Sequence, residues 1–376
     1  MRVVSDIKDP LVHKSGIARA TSEITKRICR SDATITPRQP KVRSQLPGGP
    51  GAGPNVFVAH MSAIGHLTWL STKRARQLDR SQIDIFWGPA HRLPMGLGRS
   101  VPCVVTIHDL VWAKYPQTMR RTRLLAERIL SPHAMRRADA IIAISNATRD
   151  DVIERFPHFA DKIRVIYPGA SRLAELSSGK VAKPAQRRRA DYALFVGTIE
   201  PRKNIGNLLH AIAITKAKGI ETGKLIIVGA HGWRHEEIGA LIDRFGLSDC
   251  VSALGYVSDA GLAELYQGAR FLAMPSLCEG FGLPIIEAGS YGVPALTSNV
   301  SSMPEAAGKA GLFVDPLDPH DIARGWQRLW HDDAQYKKLR SLAVSNAARF
   351  SWSRTAEEML ALFQEVIDRH RKRCTR

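Results

Sequence analysis

The chain has 376 residues, of which 44% are hydrophobic and 24% charged, a composition typical of a globular protein with room for two domains. Its five cysteines are scattered without a Cys-x-x-Cys pair, which argues against a disulfide framework or a zinc site and indicates a reducing compartment. No apolar run reaches the roughly 18 residues of a membrane-spanning helix, and the polar start lacks a signal-peptide core, so we expect a cytoplasmic protein.

The net charge of +19 is concentrated in the first half of the chain. Residues 1–190 contain 33 Lys and Arg against 14 Asp and Glu, whereas residues 191–376 contain 21 of each kind. A basic surface attracts nucleic acid, an anionic membrane or a phosphorylated substrate through the same Coulombic force. A solvated basic surface without any partner is the alternative.

The first half of the chain reads as alternating strands and helices. Apolar runs that end at His108 and before Ser145 have the composition of buried parallel strands, and the segment between them has helical spacing. We predict strands at residues 101–109, 140–144 and 163–167, and helices at 121–135 and 148–156. The Pro- and Gly-rich segment within residues 40–55 is predicted to be an irregular loop.

A second strand and helix series follows residues 173–190, which have the small, polar and basic composition of a linker. The predicted domains are therefore residues 1–172 and 191–350, joined by the linker 173–190 and followed by a C-terminal helix and basic tail at 351–376. Alternating strands and helices predict an α/β fold in both domains, and ligands of such sheets bind beyond the carboxyl ends of the strands. The series comprises strands at 192–196, 225–228, 251–254, 271–274 and 294–297, and helices at 205–218, 236–245 and 284–291.

Two loops of the second half carry candidate binding residues. Residues 197–204 read GTIEPRKN and follow a predicted strand, so the adjacent cations Arg202 and Lys203 are suited to neutralise a pyrophosphate. Residues 279–287 read EGFGLPIIE, in which glycines let backbone amides approach a ligand and carboxylates accept hydroxyl hydrogen bonds. We expect both glutamates to face one pocket. Solvated surface charges are the alternative for both segments.

These segments, in this order with Gly255-Tyr256-Val257 and Pro304-Glu305, resemble glycosyltransferase family 4. The resemblance extends into the first half, where residues 14–19 are similar to the family's glycine loop and His108-Asp109 and residues 145–148 fall in family-like order. It implies a retaining enzyme of GT-B fold, with two Rossmann-like doubly wound domains facing a central cleft. Residues 200–204 most resemble the bacterial mannosyltransferases of surface polysaccharide synthesis.

The resemblance also implies roles for individual residues. Arg202 and Lys203 hold and stabilise the leaving diphosphate, Glu279 contacts the donor sugar, and His108 lies near the reacting carbon, although an ordinary strand-end histidine is the alternative for His108. Ala18 stands where the family often has a second glycine, so it would need a costly left-handed backbone. The remaining donor-binding residues implied by the resemblance are Gly16, Gly197, Tyr256, Val257, Gly280, Phe281, Gly282, Leu283 and Glu287.

The expected reaction needs no metal and no cofactor besides the nucleotide-sugar donor, for which we predict GDP-mannose. The acceptor is expected to be a glycan or a lipid-linked glycan, and an anionic membrane surface is a candidate partner for the basic first half, which places the protein peripherally at the inner face of the membrane. The basic residues assigned to that surface are Lys73, Arg74, Arg76, Arg80, Arg120, Arg121 and Arg123.

Several alternatives stay open at the level of sequence. Glucose, galactose or rhamnose from another nucleotide sugar would suit the same motifs, and a sugar-nucleotide epimerase or a phosphorylase would share the fold. A phosphorylase needs a lysine for pyridoxal phosphate, and nothing identifies one. A nucleic-acid-binding protein would explain the charge, but the chain lacks interleaved aromatic residues and a recognisable binding module, so we expect no nucleic-acid partner.

Overall fold

A computed structural model of the protein describes residues 1–6, 16–30, 34–36, 57–59, 83–170, 192–230, 232 and 238–374. The chain divides into two compact units. The first consists of Met1–Ala113, Arg121–Gly169 and Trp352–Arg376, and the second of Lys114–Arg120 and Ala170–Ser351. The predicted loop at 40–55 and the predicted linker at 173–190 lie outside the described residues.

A parallel β-sheet forms the centre of the first unit. The inner strands β4, β5 and β6 are buried along their whole length, as expected for parallel strands covered on both faces. The strand order among the described residues is β2-β1-β4-β5-β6-β7, and β3 also pairs with β1. The strands are β1 (Arg2–Asp6), β2 (Thr34–Thr36), β3 (Phe57–Ala59), β4 (Ile85–Gly88), β5 (Cys103–Ile107), β6 (Ala140–Ala143) and β7 (Ile163–Val165).

Helices connect these strands, and the helix after β6 starts at a capping serine. Ser145 caps the helix after β6, because its side-chain oxygen accepts a hydrogen bond from the Thr148 backbone N–H. The helices are α1 (Gly16–Arg30), α2 (Val111–Lys114), α3 (Arg121–Arg137) and α4 (Asn146–Arg155). Gly16 and Ala18 lie in the first turns of α1, so Ala18 needs no left-handed backbone. The role implied for Gly16 stays a prediction. Residues 14 and 15 lie outside the described part of the chain.

The second unit has a parallel sheet in the order β10-β9-β8-β11-β12-β13. The chain starts in the middle with β8, moves outward to β10, and then returns to the other side of β8 for β11. This reversal leaves a crevice at the carboxyl ends of β8 and β11, where doubly wound sheets bind their ligands. The strands are β8 (Tyr192–Val196), β9 (Lys224–Val228), β10 (Val251–Gly255), β11 (Leu272–Met274), β12 (Ala295–Ser298) and β13 (Gly311–Val314).

Helices cover this second sheet, and its core is aromatic where they meet it. Phe271 packs edge-on against Trp326 with ring centroids 5.1 Å apart, and both side chains are fully buried. The helices are α5 (Ile205–Ala217), α6 (Ile238–Arg244), α7 (Asp259–Gly268), α8 (Leu283–Ser290), α9 (Met303–Ala307), α10 (Pro319–His331) and α11 (Asp333–Ala347). The predicted α/β class is therefore confirmed in both units.

The last helix, α12 (Trp352–Cys374), packs on the first unit although it follows the second in sequence. Phe363 on its apolar face lies against Trp87 of β4, with ring centroids 6.2 Å apart. The Thr355 hydroxyl donates to the Tyr167 carbonyl over 2.7 Å. The sequence predicted a helix here, and the structure supplies the packing partner that the sequence did not identify.

Candidate functional site

The loop after β8 is anchored to its neighbours by main-chain hydrogen bonds. Gly197 N donates to Val228 O over 2.9 Å, and Ile199 N donates to Ala230 O over 3.0 Å. Residues Pro201–Lys203 then form one tight turn that ends at Asn204. Asn204 has a left-handed backbone with φ of 61°, which asparagine tolerates better than most residues.

Asn204 ties this turn to two other loops of the second unit. Its side-chain amide donates to Pro275 O over 2.9 Å and to Pro316 O over 2.7 Å. The Leu277 backbone N–H also donates to Arg202 O over 2.8 Å. The loops that follow β8 and β11 are thus fastened together at the point where the strand order reverses.

Gly229, which sequence reasoning missed, allows this close approach. A Cβ atom at Gly229 would lie 1.8 Å from the Gly197 carbonyl oxygen, so any side chain there would displace the loop after β8. The signal in the sequence was a glycine directly after the apolar strand at 224–228, which marks a close backbone approach.

Glu279 links the two loops by ion pairs, because its carboxylate contacts both predicted cations. Oε1 lies 2.5 Å from Lys203 Nζ, and Oε2 lies 2.6 Å from Arg202 Nη1. The Ser276 hydroxyl, a further residue that sequence reasoning missed, donates to Oε1 over 2.8 Å. Glu279 and Lys203 are only 7% and 6% exposed. Arg202, Lys203 and Glu279, predicted as separate contacts, therefore form one buried cluster.

The charges of this cluster control its protonation. Burial by itself would raise the pKa of Glu279, but the charges of Arg202 and Lys203 and their hydrogen bonds outweigh it and lower that pKa to about 2. Burial lowers the pKa of the Lys203 ammonium, and the adjacent Glu279 opposes that change. Glu279 is consequently ionised at neutral pH, and its charge is matched by the two cations.

Glu200 extends the cluster on the side of Arg202. Its carboxylate oxygen Oε1 forms an ion pair with Arg202 Nε, and the side chain is nearly fully buried. Glu200 belongs to the predicted motif at residues 197–204, but the sequence did not indicate a role for it. The cluster therefore contains two carboxylates and two cations, with Arg202 between the two acids.

Glu287 has different partners from Glu279. It lies in the second turn of α8, buried, and accepts a hydrogen bond from the Tyr266 hydroxyl over 3.0 Å. The helix starts after Gly282, whose φ of 95° suits glycine. The expectation that both glutamates face one pocket stays a prediction.

The other predicted donor-binding residues lie in loops of the second unit. Phe281 is buried, with its ring 5.0 Å from that of Phe350, so only its backbone is suited to meet a ligand. Tyr256 is 52% exposed just after β10, and Val257 beside it is half-buried. Gly280 precedes Phe281 in the loop, and Leu283 is the first residue of α8. Their contacts with a donor stay predictions.

His108 follows β5 directly in the first unit and contacts Pro89 and His91. Its Nε2 lies 2.7 Å from Pro89 O, which requires that this nitrogen carry the proton and donate. Its backbone N–H donates to His91 Nε2 over 2.9 Å, and the two rings stack with centroids 5.4 Å apart. Burial, together with the neighbouring His91, lowers the pKa of His108 to about 4, so the ring is neutral at pH 7.

Glu127 of α3 contacts His91, the histidine that stacks on His108. Its Oε2 lies 3.5 Å from His91 Nδ1 and accepts from the Ser131 hydroxyl over 2.7 Å, while Oε1 accepts from Arg92 over 3.0 Å. Although burial would raise the pKa of Glu127, these partners hold it well below its usual range. Sequence reasoning missed Glu127 and His91.

Within the described ranges, no group of three His, Cys, Asp or Glu side chains lies together in a way that could hold a metal ion. The expectation that the reaction needs no metal stays a prediction. No helix in the described part of the chain is both long and apolar enough to cross a membrane.

Comparisons with known proteins identify the family. Residues 15–171 match the family model described as Glycosyltransferase Family 4, and residues 180–348 match the model described as Glycosyl transferases group 1. An O-antigen chain mannosyltransferase B of Escherichia coli is 32% identical over 289 residues, which cover 74% of each chain. The chain belongs to glycosyltransferase family 4.

Solved structures place this glycosyltransferase in the GT-B fold. A sucrose-phosphate synthase from Thermosynechococcus elongatus superposes with a TM-score of 0.71 at 21% identity, covering 98% of both chains. WaaG, a glycosyltransferase involved in lipopolysaccharide biosynthesis, superposes with a TM-score of 0.69 at 16% identity, covering 96% of this chain and 99% of WaaG. At these identities the likeness concerns the fold. The predicted family, fold and enzyme class are thus confirmed.

Proposed function

We propose that this glycosyltransferase moves mannose from GDP-mannose to a glycan or lipid-linked acceptor in cell-surface polysaccharide synthesis, with retention at the sugar's anomeric carbon. The observation that carries the proposal is the buried contact of Glu279 with both Arg202 and Lys203 at the reversal of the strand order. The identity of 32% to an O-antigen chain mannosyltransferase supports mannose as the transferred sugar.

In this proposal the donor replaces part of the buried cluster. The diphosphate binds Arg202 and Lys203, whose guanidinium and ammonium groups are suited to phosphate oxygens. A carboxylate offers about four lone-pair positions, and Lys203, Ser276 and Arg202 already use three on Glu279. Glu279 can therefore accept one sugar hydroxyl at once, and more as the diphosphate draws the cations away.

The remaining donor contacts follow the family resemblance. Glu287 binds the ribose, residues about Tyr256 and Val257 meet the base, Gly197 and the amides of residues 280–283 line the phosphates and sugar, and Gly16 lies at the phosphates. Glu287 fits this role because it is a buried carboxylate that the Tyr266 hydroxyl holds by a hydrogen bond. A diol is a suitable ligand for such a carboxylate.

The proposed chemical step breaks the bond between the anomeric carbon and the diphosphate oxygen. The acceptor hydroxyl forms the new carbon–oxygen bond on the same face, and its proton passes to the departing diphosphate oxygen. Positive charge develops on the sugar carbon and negative charge on the diphosphate, which Arg202 and Lys203 stabilise. The resemblance implies that His108 lies near that carbon, where a neutral ring adds no opposing positive charge.

A donor screen tests this function. The protein is incubated with GDP-mannose and with the UDP-glucose, UDP-galactose and dTDP-rhamnose donors, each with and without a lipid-linked glycan acceptor. We expect nucleoside diphosphate release and a mannosylated product with GDP-mannose, and NMR of the product is expected to show the donor's anomeric configuration. Transfer from another donor alone contradicts the mannose assignment, and epimerisation of a donor without acceptor contradicts the transferase.

The exposed face of α3 supports peripheral membrane association. Leu125 and Ile129 are 62% and 56% exposed one helical turn apart, and exposed Arg121 and Arg128 flank them. Apolar side chains beside arginines suit a surface of anionic lipid, into which the former insert while the latter meet the head groups. Arg120 and Arg123 are also exposed. Lys73, Arg74, Arg76 and Arg80 of the predicted surface lie outside the described residues.

Co-sedimentation with vesicles tests this association. We expect binding to vesicles containing phosphatidylglycerol, weaker binding at high salt and no binding to neutral phosphatidylcholine vesicles. The double variant Leu125→Ser and Ile129→Ser is expected to lose most of the binding while keeping its melting temperature. Binding that is unchanged by the double variant contradicts the assignment to α3.

A further inference from the structure

Arg202 is held by two carboxylates, of which only one is expected to contact the donor. Glu279 contacts Arg202 Nη1, and Glu200 contacts Arg202 Nε. In the proposed function, Glu279 contacts the sugar when the donor binds. Arg202 then loses its contact with the Glu279 carboxylate at the stage when it binds the diphosphate. A guanidinium is useful to a phosphate only if its planar fork keeps its orientation.

Glu200 is placed to keep that orientation. It precedes Pro201, whose ring restricts the backbone, and its carbonyl oxygen accepts from Lys203 N over 3.0 Å at the start of the turn. Its side chain is 4% exposed, and among the described residues its buried Oε1 accepts no well-aligned hydrogen bond, so the charge of Arg202 is what compensates it. A buried carboxylate oxygen without a hydrogen bond needs an explanation in the structure, and the contact with Arg202 provides one.

We propose that Glu200 is a positioning residue that holds Arg202 through Nε and so presents the terminal guanidinium nitrogens to the donor diphosphate. The Cys278 carbonyl, which accepts from Arg202 Nη1 over 3.0 Å, is the second fixed contact. Glu200 acts through Arg202 and touches neither sugar nor phosphate. This inference rests on the proposed function only in taking a diphosphate as the ligand of Arg202.

The test is a double-mutant cycle on binding of inorganic pyrophosphate, measured by calorimetry with wild-type protein, Glu200→Ala, Arg202→Lys and the double variant. We expect Glu200→Ala to weaken binding about tenfold in the wild-type background, since a misplaced guanidinium loses its paired contacts. In the Arg202→Lys background, which has no Nε to hold, we expect no further loss. Glu200→Gln is expected to restore most of the affinity, because its amide oxygen keeps the polar contact with Nε.

Glu264→Ala, which removes an exposed glutamate on α7, serves as the matched control and is expected to leave binding unchanged. The positioning role is overturned if Glu200→Ala weakens pyrophosphate binding equally in both backgrounds, or if it lowers the melting temperature with unchanged pyrophosphate affinity. It is also overturned if the wild-type protein does not bind pyrophosphate. Pyrophosphate carries no base or sugar, so a positive cycle combined with no transfer from GDP-mannose refutes the proposed donor and leaves the role of Glu200 supported.

Discussion

Lys203 Nζ lies 2.5 Å from Glu279 Oε1, so the ammonium predicted to receive the diphosphate is already matched by a protein carboxylate. We expect Glu279→Gln to bind inorganic pyrophosphate roughly tenfold more tightly than the wild-type enzyme, because the competing anion is removed, and to lose about 100-fold or more in turnover. Calorimetry and a steady-state transfer assay measure the two effects. The matched control is Glu287→Gln, which changes a buried glutamate that contacts Tyr266 and should leave pyrophosphate affinity unchanged. Tighter pyrophosphate binding by Glu287→Gln, or unchanged binding by Glu279→Gln, contradicts the competition between Glu279 and the diphosphate.

Lys203→Met tests the same contact from the other side. The methionine fills most of the lysine volume but leaves Glu279 with only Arg202 as cation, and breaking a buried pair costs about 3–5 kcal/mol. We expect a lower free energy of unfolding in urea and turnover reduced about 100-fold. The control is Lys216→Met, whose ion pair with Asp249 is exposed and whose loss should change neither quantity. Unchanged turnover in a folded Lys203→Met enzyme contradicts the leaving-group role.

The helices and strands, and the residues that meet at the carboxyl ends of the strands, could be predicted from the sequence. The spacing of apolar residues and the order of motifs are local properties of the chain. It did not show that Glu279 contacts Arg202 and Lys203, since this contact spans more than seventy residues and depends on β8 and β11 being neighbours. The packing of α12 on β4 escaped prediction for the same reason. The sequence also did not show that a helix begins at Gly16, so the backbone cost expected at Ala18 does not arise.

The neutral state of His108 predicts a pH dependence of stability. Its pKa is about 4 in the folded protein and about 6.5 when unfolded, so between these values the unfolded chain binds more protons and stability falls as the pH falls. We expect His108→Gln, whose amide can still donate to Pro89 O, to flatten the curve of unfolding free energy between pH 6.5 and 4, where the wild-type protein loses about 3 kcal/mol. Urea unfolding across this range measures it.

A second titration separates His108 from the buried carboxylates. The pKa of Glu279 is about 2 in the folded protein, below its ordinary value of 4.5, so its contribution is present above pH 4.5 and is lost below it. The Glu279→Gln protein should therefore keep the slope between pH 6.5 and 4.5. Loss of that slope in Glu279→Gln, or its persistence in His108→Gln, contradicts the assignment to the histidine.

We expect Gly229→Ala to lose activity because it displaces the backbone of a loop, without removing any functional side chain. The added Cβ would lie 1.8 Å from Gly197 O, so the loop that carries Arg202 and Lys203 must move away from β9. We expect the free energy of unfolding to fall by about 2 kcal/mol or more and kcat/KM for the donor to fall about 100-fold, since small displacements of a binding group are costly. Gly206→Ala is the matched control: a Cβ there meets nothing within 4 Å, and alanine is expected to raise the unfolding free energy of α5 by up to about 1 kcal/mol. A Gly229→Ala enzyme with wild-type kcat/KM would mean that the position of this loop does not govern donor binding.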